Sequence, residues 1–202
     1  MASNNGSNNT QDPIKVIFVG EAGAGKTNLI NVSAGYKFNS ATLTTRNCSF
    51  VPKTINLNNT NYNLNIWDTI GQEKFHSLTK IFLKESDIAI LVYDITNKKS
   101  FDSLPYWKGL IDEQLGQKPI YGIVGNKMDL YEREEVDKSD LIDYADKIGA
   151  KYLLTSAKAD SVSIGKFLET LLADFVAKNK EKIKENFYLD KKNKKKKKRS
   201  FC

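Results

Sequence analysis

With 202 residues and 40% hydrophobic content, the chain is long enough for one well-buried domain and a tail, and too short for two domains of ordinary size. The net charge of +7 hides an asymmetry: Lys191, Lys192, Lys194 to Lys198 and Arg199 carry eight positive charges, and removing them leaves −1 for everything else, which argues against a globular reader of nucleic acid. Two cysteines, Cys48 and Cys202, are too few for a disulfide framework and fit a reducing compartment, and no stretch approaches the roughly 18 apolar residues of a spanning helix.

Residues 1–12 are rich in Asn, Ser, Gly and Thr and read as a disordered leader. The globular domain is expected over 13–180 and a flexible polybasic tail over 181–202. Residues 14–19 form an apolar run ending at a glycine, the pattern of a strand buried on both faces of a parallel sheet. A helix opened by the loop 20–27 continues over 28–34, and Gly35 stops it. Residues 48–57 and 62–67 predict two strands, the second alternating Tyr62, Leu64 and Ile66 against Asn63 and Asn65, with 58–61 as the hairpin turn. Pro52 has no N–H to give to a ladder, which puts the first of the pair at the sheet edge. Residues 88–93, 120–125 and 152–155 predict three more buried strands with helices between them. The clearest helix is the last, where Ile164, Phe167, Leu168, Leu171, Leu172, Phe175 and Val176 recur at helical spacing; the pattern weakens after about Lys180. This alternation predicts an α/β fold of three layers: a mostly parallel six-stranded sheet with one antiparallel edge strand, and about five helices. Ligands of such sheets sit at the carboxyl ends of the strands.

Four short segments fall just after predicted strands. The first, Gly20-Glu21-Ala22-Gly23-Ala24-Gly25-Lys26-Thr27, is a phosphate-loop pattern set between strand and helix, so that backbone N–H groups ring phosphates at a helix N-terminus. It points to a P-loop NTPase fold, with a purely structural glycine loop as the minor reading. Lys26 is expected to reach the β- and γ-phosphates, the Thr27 hydroxyl to ligate Mg²⁺, and Asn28 to continue the cradle. The second segment, Asp68-Thr69-Ile70-Gly71-Gln72, begins at the end of the third strand, where Asp68 aims a carboxylate at the same place; a strand-end cap is its plainer role. In the third segment, Asn126-Lys127-Met128-Asp129, the Asp129 carboxylate suits the N1–H and N2 amine of guanine, the Lys127 stem the ring face, and Asn126 the loop itself. Adenine lacks that amine and would leave Asp129 desolvated and unpaired, which is worth several kcal/mol of discrimination. As a lone tetrapeptide this is an ordinary polar turn. The fourth segment, Thr155-Ser156-Ala157-Lys158, places a backbone N–H where it meets the guanine O6. Each is weak alone, and their joint order points to GTP and GDP.

In this order and spacing the four segments resemble the Ras superfamily of small GTPases over residues 13 to about 178. Residues 91–96 (LVYDIT) and 66–78 (IWDTIGQEKFHSL) are most similar to the Rab branch. The resemblance implies that Thr45 closes onto Mg²⁺ from the first switch, that Gly71 meets the γ-phosphate, and that Gln72 orients the attacking water, giving Gln72, Lys26 and Gly71 as the catalytic set. It places Phe38 edge-on against the guanine, while a core role suits that phenylalanine equally well. It also implies slow intrinsic hydrolysis, an exchange factor, a GTPase-activating protein and effectors acting through residues 36–50 and 68–80, and a monomer regulating vesicle traffic. Two departures stand out: Thr45-Arg46-Asn47-Cys48 replaces the usual residues after the switch threonine, and Ile70 stands where alanine is usual. A non-cycling, GTP-loaded interaction scaffold with altered switches is the alternative.

The tail has three readings: solvated charge, a nuclear or nucleic-acid patch, and a membrane anchor. The anchor is favoured, because terminal Cys202 after a basic run resembles Rab-type ends, where one lipid and a polybasic segment act together on an anionic surface. Residues 191–202 are therefore expected to meet the cytoplasmic face of a membrane, with Cys202 as the prenylation site and no nucleic-acid partner. No C-a-a-X box is present, and the usual Rab ending has two cysteines.

Overall fold

A computed structural model describes residues 12–41, 49–69, 82–115 and 118–199, with the backbone alone at 49 and 182–199. Six strands form one sheet: β1 (Ile14–Val19), β2 (Ser49–Leu57), β3 (Thr60–Asp68), β4 (Ile88–Asp94), β5 (Ile120–Asn126) and β6 (Lys151–Leu154). Their spatial order is β2-β3-β1-β4-β5-β6. Only β2 runs antiparallel, against β3; the other neighbours are parallel. Pro52 sits on that edge strand opposite Asn65, where a missing donor leaves no inner ladder broken.

Five helices cover the sheet among the described residues: α1 (Lys26–Ser33), α2 (Lys98–Asp102), α3 (Leu104–Gln114), α4 (Lys138–Ile148) and α5 (Ser163–Arg199). The strand side chains divide by parity. Val16, Phe18, Ile88, Ile90, Val92 and Val124 join α1 and α5 in one core. Ile17, Val19, Ala89, Leu91, Tyr93 and Ile123 join α2, α3 and α4 in the other. Apolar residues on both faces are why β1 and β4 read as continuous hydrophobic runs and not as alternating ones. Gly122 lets α5 approach closely, since a Cβ there would lie 2.7 Å from Leu171 Cδ1 and 3.0 Å from Phe167 Cε1.

Three expectations change in detail. The strand expected to be buried over 152–155 is β6, Lys151–Leu154, which lies at the other edge of the sheet with Lys151 and Tyr152 exposed. The β2–β3 turn is two residues long: Asn58 and Asn59 both take positive φ, 52° and 61°, and Thr60 already pairs with Leu57. Such a turn matches the twist of a hairpin, and asparagine tolerates the left-handed region better than most side chains. The last helix does not weaken at Lys180; its backbone stays helical to Arg199. After Gly165 that segment holds no glycine or proline and many good helix formers.

β1 has β3 on one side and β4 on the other, so the direction in which strands were added reverses at β1. The crevice above that reversal, at the carboxyl ends of β1, β3, β4 and β5, is where open α/β sheets bind ligands.

Candidate functional site

The loop from Gly20 to Gly25 connects β1 to α1. At its end Gly25 has φ +92°, and a Cβ there would lie 2.2 Å from Asn126 Nδ2; only glycine satisfies both the angle and the clearance. Lys26 opens α1 and folds back under the loop. Its Nζ donates to Gly20 O at 2.7 Å and Glu21 O at 2.9 Å, and the residue is 6% exposed. Burial lowers its pKa to about 8, against the opposing pull of Asp68 and Glu21. An ammonium buried on two neutral carbonyls gains much from an anion, which is the electrostatic condition for binding phosphate.

Thr27 Oγ1 donates to Asp68 Oδ2 at 2.7 Å, joining the first turn of α1 to the end of β3. Thr69, fully buried, donates from Oγ1 to Phe18 O at 2.6 Å. A hydroxyl and a carboxylate are hard oxygen donors, and among the described residues no group of three or more His, Cys, Asp or Glu could hold a metal by itself. That donor set fits Mg²⁺, which takes one or two protein oxygens and completes its shell with phosphate and water. Thr27 and Asp68 would hold the ion; when bound, it neutralises charge on the phosphate oxygens.

At the far end of the crevice Asn126 ties three segments together. Its Nδ2 donates to Ala24 O at 2.8 Å, and its Oδ1 accepts from Ala157 N at 3.1 Å. Lys127 follows in the left-handed region at φ 72°. Its Nζ meets Asp94 Oδ2 at 2.6 Å, while Asp94 Oδ1 accepts from Thr96 N and Oγ1 at 2.9 and 2.8 Å. The chain then enters a 3₁₀ segment, Met128–Arg133. There the Asp129 carboxylate accepts from Ser156 Oγ at 2.5 Å and has Lys158 Nζ at 3.7 Å from its other oxygen. The Ser156 hydroxyl oxygen in turn accepts from Lys158 N and Ala159 N at 3.2 and 3.1 Å. Between the two ends lies a cavity of about 410 Å³, walled by Gly23, Gly25 and Lys26 at one end and Lys127, Asp129 and Lys158 at the other. Buried cation at one end, fixed carboxylate at the other: the arrangement suits a ligand with an anionic tail and a donor edge.

A family model described as the Ras family matches residues 15–177. The chain belongs to the Ras family. Rab-21 of Homo sapiens is 42% identical over 144 residues, which is 71% of this chain and 64% of that protein. The bovine Rab-21 has the same identity and 65% of its length covered, so the chain spans just under two thirds of these relatives. Rab-8 of Diplobatis ommata is 35% identical over 172 residues, 85% of this chain and 81% of the relative. Rab-30 of Homo sapiens is 38% identical over 144 residues, 71% of each. These place the chain in the Rab branch.

Of the residues named from sequence, this Rab-branch chain brings Ala22, Gly23, Gly25, Lys26, Thr27 and Asn28 to the cavity wall, with Phe38, Asn126, Lys127, Asp129, Ser156, Ala157 and Lys158. Gly20, Glu21 and Ala24 stand behind the wall and contribute carbonyls to Lys26 and Asn126. Asp68 stands behind Thr27. Thr45, Ile70, Gly71, Gln72 and Cys202 lie outside the described residues. Phe38 lines the cavity and packs against the α1–α5 core. Thr69, from the second segment, also lines the cavity, as do Ser40 and Leu130, and Asp94 holds Lys127; Ser40, Leu130 and Asp94 were not singled out from sequence. Asp94 carries no local signal, because its partner is 33 positions away.

Proposed function

We propose that this protein is a Mg²⁺-dependent GTP-binding switch that hydrolyses GTP slowly unaided and serves membrane traffic at the cytoplasmic face of a membrane. The observation that carries the reading is the Asp129 carboxylate, fixed by Ser156 and Lys158, at the opposite end of a cavity from the buried Lys26 ammonium. Guanine presents two donors to such a carboxylate and adenine does not. At the phosphate end, Lys26 and the N-terminus of α1 meet the triphosphate, and Thr27 with Asp68 hold the ion.

Hydrolysis needs little covalent chemistry from the protein, so positioning dominates. Gln72 orients the water and Gly71 meets the γ-phosphate; Thr45 closes the first switch and releases it when the γ-phosphate leaves. An activating partner that supplies an arginine would add a rate factor on the order of 10³ to 10⁵. Exchange factor and effectors use residues 36–50 and 68–80. Traffic and the membrane setting are supported by the Rab relatives, and the anchor combines residues 191–199 with a prenylated Cys202. No helix among the described residues is long and apolar enough to cross a membrane.

Purified protein mixed with fluorescent nucleotides should take up GTP and GDP and exclude the adenine forms by at least about 1000-fold, and loaded GTP should decay slowly to GDP. Asp129→Asn should turn the preference toward xanthine nucleotides, whose C2 oxygen needs a donor. Equal uptake of ATP and GTP would overturn the proposal.

A further inference from the structure

The segment that follows α1 is fastened back along that helix by a side chain that sequence reading assigned only to the phosphate cradle. The chain leaves α1 at Gly35, and Tyr36 N donates to Asn31 O at 2.9 Å. Three residues on, Asn28 clasps the backbone of Asn39 with both ends of its amide. Asn39 N donates to Asn28 Oδ1, and Asn28 Nδ2 donates to Asn39 O, each at 3.2 Å. The Asn39 side chain faces onward and accepts from Ala41 N at 2.9 Å through Oδ1. Segment 36–41 is thus pinned near the end of α1 and again at its first turn. Phe38, between the two pins, and Ser40, just past the second, form part of the cavity wall.

We propose that Asn28 is a positioning residue for nucleotide retention: its amide pair with the Asn39 backbone closes the wall made by Phe38 and Ser40, and losing the pair speeds nucleotide release. This rests on the guanine-nucleotide reading of the cavity. A reciprocal amide pair is the side-chain equivalent of one rung of a sheet and holds one backbone register. A shorter hydroxyl or thiol at position 28 would offer one polar atom in place of two.

The geometry separates Asn28 from Asn39. Asn28→Ala removes both bonds, keeps the backbone N–H at the helix start and puts in the best helix former, so the fold is retained. Asn39→Ala leaves the clasp intact because only its backbone takes part. Release of fluorescent GDP from the full chain, chased with unlabelled GDP, should be about 5-fold faster in Asn28→Ala. Asn28→Leu, which fills the space without hydrogen bonds, should release as fast as Asn28→Ala. Asn39→Ala should stay within about 2-fold of wild type in release and should associate with GDP at the wild-type rate. Wild-type release in Asn28→Ala, or in Asn28→Leu, would overturn the clasp while leaving the functional reading in place. A wild type that fails to retain GDP at all would overturn that reading and the clasp together.

Discussion

Lys26 shows what a phosphate site costs a protein before the phosphate arrives. Its folded pKa of about 8 lies below the ordinary 10.5 because burial disfavours the ammonium. Below pH 8 both folded and unfolded chains hold the proton, and the full cost of the buried charge is present. Between about pH 8 and 10.5 the unfolded chain binds more protons than the folded one, so stability rises with pH. Burial works in the opposite direction on Tyr144, pushed up to about 12, and on Tyr93 and Tyr121, also raised. These keep their protons after the unfolded chain loses them near pH 10, and they lower stability above that point. Comparing wild type with Lys26→Met cancels the tyrosines. In urea melts of nucleotide-free protein, wild type should gain about 2 kcal/mol on Lys26→Met between pH 7 and 10. The gain should shrink when GDP is bound, because the phosphates raise the lysine's pKa. Parallel stability curves would show that the ammonium is not desolvated. At this scale the sequence was most legible where chemistry is local: Lys26, Thr27 and Asp129 are marked by their immediate neighbours. The Asp94–Lys127 and Asn28–Asn39 pairings were not, because groups 33 and 11 positions apart meet only once β4 lies beside β5 and the segment after α1 folds back along that helix.

Among the elements, β1 was legible as an apolar run stopped by Gly20, and β2 was placed at the edge by Pro52 alone. The hairpin turn was drawn two residues too long, since a run of Asn-Asn-Thr-Asn does not itself show which pair takes the left-handed angles. The contact of β5 with α5 was not legible either: nothing near Gly122 says that a helix 45 or more residues later rests on it. That contact is testable. A methyl added at Gly122 meets Leu171 Cδ1 and the Phe167 ring, and overpacking of this kind costs about 1–3 kcal/mol. Leu171→Ala opens space at the same point and by itself costs about 2–5 kcal/mol. Gly122→Ala should therefore destabilise the GDP-bound protein alone, and the double variant should be more stable than the two separate losses predict. Additive losses in urea melts would mean that α5 does not rest on this glycine.

At the scale of the whole molecule, charge is divided so that the folded body is nearly neutral and the cations are gathered at one end. Eight of the nine residues from 191 to 199 are Lys or Arg, and without them the net charge falls from +7 to −1. Near the end of the described α5 side chains, Lys178 Nζ donates to Lys118 O at 2.7 Å. From there the helical backbone runs 13 residues to Lys191 and 21 to Arg199, about 20 Å and about 32 Å at 1.5 Å per residue, and both exceed the Debye length of about 8 Å at physiological salt. The cationic end is thus electrostatically separate from the nucleotide site along the chain, and the two functions should come apart by truncation. Each basic residue near an anionic leaflet contributes about 1 kcal/mol. Unlipidated protein carrying residues 1–202 should bind vesicles rich in phosphatidylserine and leave neutral ones alone, and about 0.5 M salt should release it. Deleting residues 191–202 should weaken vesicle binding by at least about 100-fold, yet GDP release should not change. Vesicle binding that survives the deletion would move the membrane contact onto the folded body, and a full chain that takes RNA in preference to vesicles would replace the anchor with a nucleic-acid role for the same lysines.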